Sequence, residues 1–74
     1  MNEKEMKLLL DARALKQVHI HYAVMSQGYM IVGDGKPLET GKKETREFKT
    51  LDAAAKLLFK IGVADFKVKL RTTV

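Results

Sequence analysis

Apolar residues recur at helical spacing between residues 51 and 61, where Leu51, Ala54, Ala55, Leu58 and Ile61 form one stripe. Thr50 stands before it as an N-cap whose hydroxyl can take up a free N–H of the first turn. Asp52 suits the positive end of the helix dipole, and Gly62 suits a left-handed stop. Asp52 and Lys56 also form an i,i+4 pair on another face of the helix. A second helix is read over Lys4 to Leu15, with Met6, Leu9, Leu10, Arg13 and Ala14 on one face and Asn2 as its cap. The same stretch also alternates through Leu8, Leu10, Ala12 and Ala14, so a strand is the competing reading.

From Gln17 the period becomes two. Val18, Ile20, Tyr22 and Val24 point one way, and His19, His21, Ala23 and Met25 point the other. Ser26-Gln27-Gly28 reads as a turn, and Tyr29 to Val32 as a second strand that is apolar on both faces. Gly33-Asp34-Gly35 ends that strand, and Lys36 to Lys43, with the single proline Pro37, reads as a loop. Glu44 to Lys49 reads as a third strand. Val63 to Thr72 reads as a fourth, with Phe66, Val68 and Leu70 inward and Lys67, Lys69 and Arg71 outward. The order α-β-β-β-α-β predicts an α+β fold: a four-stranded, largely antiparallel sheet with two helices, the Thr50 helix covering one face. The first helix covers the same face or an end. An apolar patch from Tyr29, Met30, Ile31 and Val32 is then expected on the other face, which points to a homodimer or a protein partner.

The 74 residues make one domain, 1–74, and the 46% apolar fraction suffices for a single core. Absence of cysteine excludes disulfides, thiolate nucleophiles and zinc ribbons, and accords with a reducing compartment. No apolar run approaches the roughly 18 residues of a membrane span, and the first residues lack signal-peptide character. The chain therefore reads as cytoplasmic, without a membrane partner. A net charge of +5 changes the picture more, because it favours an anionic partner.

Catalytic signatures are lacking: there is no nucleophile elbow, P-loop or carboxylate pair. Gly33-Asp34-Gly35 begins like a dinucleotide loop, but Leu38 stands at the third glycine position, so a turn is the better reading. His19-x-His21 places two imidazoles on one strand face at metal-ligand spacing, yet no neighbouring residue supplies a third ligand. Two ordinary histidines on the exposed side of a half-buried strand are the better reading, and no metal is expected. Neither enzymatic activity nor a cofactor is expected. Lys67, Lys69 and Arg71 are more informative. Strand residues two apart are spaced by about 6.6 Å, close to successive phosphates, so the row could follow a nucleic-acid backbone. Lys42, Lys43, Arg46 and Lys49 could extend it, depending on strand order. Against this, lysines on an edge strand are also what blocks unwanted sheet pairing.

The run Arg46-x-Phe48-Lys49-Thr50-Leu51-Asp52-Ala53-Ala54, then Leu57-Leu58, Gly62 and Phe66-x-Val68, resembles small proteins carried by plasmids and conjugative elements. That resemblance covers residues 44–71 and implies a role in maintaining or regulating a mobile element, without naming an activity. A second similarity is to the arm-binding domains of tyrosine recombinases, where three strands precede a helix and the sheet enters DNA. Here a helix comes first and a fourth strand follows, and no DNA-contacting residue carries over. The expected function is a non-enzymatic nucleic-acid-binding accessory protein, DNA favoured, dimeric, using Lys67, Lys69, Arg71, Lys42, Lys43, Arg46 and Lys49. The alternative is a protein-interaction module such as an inhibitor, antitoxin or adaptor.

Overall fold

A computed structural model describes residues 1–23 and 27–70. The expected positions Val24, Met25, Ser26, Arg71 and Thr72 lie outside them. The fold is α+β. Helix α1 (Glu3–Asp11) and strand β1 (Val18–Ala23) are followed by β2 (Gly28–Gly33), β3 (Lys36–Pro37) and β4 (Glu47–Phe48). Helix α2 (Leu51–Ile61) and strand β5 (Lys67–Lys69) complete it.

Both helices begin and end on recognisable caps. Asn2 and Glu5 form a capping box: the Glu5 N–H donates to Asn2 Oδ1 (2.8 Å) and the Asn2 N–H to Glu5 Oε1 (3.2 Å). At α2 the Ala53 N–H donates to the Thr50 hydroxyl oxygen (3.1 Å). Gly62, at φ 104°, ends α2, and its N–H and that of Val63 return to the carbonyls of Phe59 and Leu58. α1 closes by the same pair of bonds, Arg13 to Leu10 and Ala14 to Leu9, with Arg13 in the left-handed position at φ 57°. That closure ends α1 at Asp11, four residues before the expected Leu15. Arginine in place of glycine hid the stop.

The sheet order is β3-β2-β1-β5, with β4 also paired to β2. β1 and β2 form the expected antiparallel hairpin, Ile20 opposite Ile31 and His21 opposite Met30. β5 lies parallel to β1, with Val68 opposite Ile20. β3 and β4 share the far side of β2, each over two residues. The sheet thus contains five short strands, because the stretch read as a loop contributes β3. The Leu38 N–H donates to the Ile31 carbonyl (2.7 Å), which carries the leucine side chain into the core, fully buried. Around it, Glu44 to Lys49 is strand only at Glu47–Phe48, beside an isolated bridge of Glu39 and Thr45.

One core joins the helices to one face of the sheet. Met6 of α1 and Ala54, Leu57, Leu58 and Ile61 of α2 pack with Val18, Ile20, Ile31, Leu38 and Val63. Gly33 lets α1 approach: a Cβ there would lie 2.6 Å from Met1 Cε and 3.1 Å from Met6 Cε. Two expected core residues sit elsewhere. Val68 is 39% and Leu70 59% exposed, because β5 is at the sheet edge and α2 packs mainly against β2 and β4, away from it. Leu8 and Leu9 of α1 are likewise exposed, since only Met6 of that helix is fully buried.

Candidate nucleic-acid interface

The sheet face turned away from the helices is fixed by register, since residues opposite one another on paired strands share a face. Two rows cross it. One runs Lys69–His21–Met30–Glu47 and the other Lys67–His19–Val32–Pro37. Charge is therefore graded, cationic along β5, imidazole in the centre and mixed at the far edge. Lys67 and Lys69 are exposed, whereas His19, His21, Met30 and Val32 are half-buried. The patch expected from the second strand is thus narrower: Met30 and Val32 lie on this face, and Tyr29 and Ile31 turn toward the helices.

His19 and His21 stand with ring centroids 5.7 Å apart. His21 Nε2 is buried without a hydrogen-bond partner among the described residues. Burial lowers the His21 pKa below its ordinary 6.5, and the Lys69 ammonium and His19 lower it further. An imidazole so placed is neutral at pH 7 and has a donor or acceptor to offer. Among the described residues no group of three histidines or carboxylates could hold a metal. The adjacent ammonium groups would oppose a cation there, so the cluster suits an anion better.

Of the expected phosphate contacts, the structure brings Lys67 and Lys69 onto one row, while Arg71 lies outside the described residues. The other four sit beyond β2, across the sheet from β5. Lys42 and Lys43 occupy an exposed turn, in which the Lys42 N–H donates to Thr40 Oγ1 (3.2 Å) and Lys43 takes φ 63°. Lys49 is exposed just after β4. Arg46 turns to the helix side: its Nη1 meets Glu3 Oε1 at 3.2 Å and its guanidinium lies over the Phe48 ring at 5.2 Å. It ties α1 to β4, and a single phosphate track from β5 to Arg46 does not exist. What sequence reasoning missed is the placing of His19 and His21 beside the lysines. The alternation put the imidazoles on an outer face, but nothing local says that β5 pairs with β1.

No helix among the described residues is long and apolar enough to cross a membrane. Comparison with known protein families, with curated proteins and with solved structures finds no match.

Proposed function

We propose that the protein is a non-enzymatic nucleic-acid-binding accessory protein, DNA favoured, that holds phosphates on the β5–β1 half of its helix-free sheet face. The observation that carries this is the solvated pair Lys67 and Lys69 beside His19 and His21, on a face that neither helix covers. Net charge of +5 supports it through long-range attraction. Two lysines spaced by about 6.6 Å match successive phosphates and carry no base reading, so binding is expected to be independent of sequence. Arg71 continues the alternation of the chain and is the third expected contact. The resemblance of residues 44–71 to proteins of plasmids and conjugative elements supports a setting on a mobile element.

The test is a titration of duplex DNA at several salt concentrations. Affinity should fall with salt by about 0.9 log unit per log unit for each phosphate neutralised. Replacing Lys67, Lys69 and Arg71 together by Gln should flatten the slope by up to about three such increments. The fold should persist, since Lys67 and Lys69 are solvated. An unchanged slope in the triple variant would remove β5 from the interface.

A further inference from the structure

The outer edge of β5 and the flank of α2 beside it are not used by the phosphate reading. Among the described residues no strand pairs with that edge, so the backbone groups of Lys67 to Lys69 are free on one side. Val68 on the helix side of the same strand and Leu70 just after it are exposed, and Phe59 of α2 is 83% exposed. Phe59 lines a largely apolar groove of about 380 Å³ with Ala55, Val63 and Phe66. An exposed aromatic beside an open strand edge and an apolar groove is a binding feature rather than a stabilising one.

The opposite edge is closed by the chain itself: the Met1 ammonium donates to the Pro37 carbonyl (3.1 Å) and the Glu39 N–H to the Met1 carbonyl (2.7 Å). There β3 and β4 are two residues long, and Lys36, Pro37 and Glu47 interrupt or charge them. β5 has no proline, and its two faces differ in character: Lys67 and Lys69 on one, Val68 on the other. A second copy is a poor occupant. Two β5 strands paired antiparallel would set Lys67 and Lys69 against the same lysines of the other copy, and like charges directly opposite are destabilising. An extended chain with acidic residues at alternate positions meets both faces at once. Its carboxylates reach the ammonium groups while its apolar residues reach Val68 and Phe59.

We propose that β5 is a docking edge for an extended segment of a partner protein with alternating acidic and apolar residues, which joins the sheet as a further strand and rests its apolar side on the Phe59 groove. Backbone hydrogen bonds supply affinity, and the alternate side chains supply choice. This goes beyond phosphate binding and does not depend on it.

The test uses the full chain, without nucleic acid, and a blocked synthetic peptide of alternating Glu and Val as probe. Heteronuclear NMR should show shifts confined to β5 and the Phe59 flank. Phe59→Ser should weaken binding about fivefold or more, as loss of an aromatic anchor does; its exposure means that the fold is retained. A peptide with Lys in place of Glu, and one N-methylated on alternate backbone amides, should both fail to bind. Any of four results would overturn the proposal. These are equal binding of the N-methylated or the lysine peptide, shifts centred on β3 and β4, no binding at millimolar peptide, or a free protein that sediments as a dimer with β5 protected.

Discussion

Leu58 is one of the five largest side chains that the core buries completely. It shares the core with Ala54 and Ile61 of its own helix and with Ile20 and Ile31 of the sheet. Leu58→Ala should cost about 2–5 kcal/mol, because the cavity cannot collapse onto a sheet already packed against it. Urea titration measures this, and a loss below about 1 kcal/mol would take Leu58 out of the core. Its burial was legible in the sequence, since the i,i+3,i+4 stripe singles it out. Burial of Leu57 was not, because the stripe was drawn too narrow for a helix that also meets Val63. Val68 failed for another reason. Alternation gives the face a strand residue takes, but burial depends on a neighbour that the strand's own sequence does not contain.

Elements are joined here by a few specific polar contacts, and Asp34 makes the most telling one. Its carboxylate accepts from the backbone N–H groups of Lys16 and Gln17, the latter at 2.8 Å, while its own N–H donates to the Gln17 carbonyl. The turn after β2 is thereby tied to the segment that leads into β1. Those two backbone bonds hold the Asp34 pKa below its ordinary 3.8, with smaller contributions from Lys16 and Lys36. A carboxylate with a depressed folded pKa stabilises above its unfolded value, and that contribution is lost as pH falls through the folded one. Asp34→Ala should therefore be less stable than wild type near pH 7, and the difference should shrink as pH falls below the ordinary aspartate range. Urea titrations of both proteins at neutral and acid pH test this; a constant gap would show that the charge does not matter. Gly33-Asp34-Gly35 was readable as a turn. That Asp34 reaches back some 17 residues to fix another segment was not, because no local signal marks a long-range cap.

For the molecule as a whole, the arrangement that matters is the placing of β5 on the free side of β1. It sets Lys69 opposite His21 and Lys67 opposite His19, with Met30 and Val32 of β2 on the other side and Glu47 of β4 beyond. If phosphates bind there, they favour the protonated His21 imidazole, so DNA affinity should rise as pH falls from about 7.5 to 5.5, by up to about tenfold. The free protein should respond in the opposite sense. His21 has its folded pKa pushed below 6.5, so it supports the fold above that pH and less as acid charges it. DNA titrations at the two pH values, wild type beside a variant with His19 and His21 both replaced by Gln, decide the matter. A gain that survives in the variant would mean that the imidazoles do not meet phosphate. The sequence made the elements and their faces legible, each from its own period and caps. Strand order decides which cations stand together, and it depends on pairings between segments far apart in the chain.

The parallel contact of β1 with β5 also sets a timetable for the newborn chain. Ile20 waits for Val68, 48 residues further along the chain, before that side of β1 is covered. At about 5–20 residues per second, the open edge lasts for roughly 2–10 s during synthesis. Throughout that interval the β1–β2 hairpin can exist, but its central strand is for the moment an outer one, carrying Ile20 and Tyr22 with no lysine guard of its own. Lys67 and Lys69 arrive only with the strand that closes the gap. The protein's exposure to misassembly is thus greatest before its last strand is made, and a stop or slow decoding after α2 would prolong it.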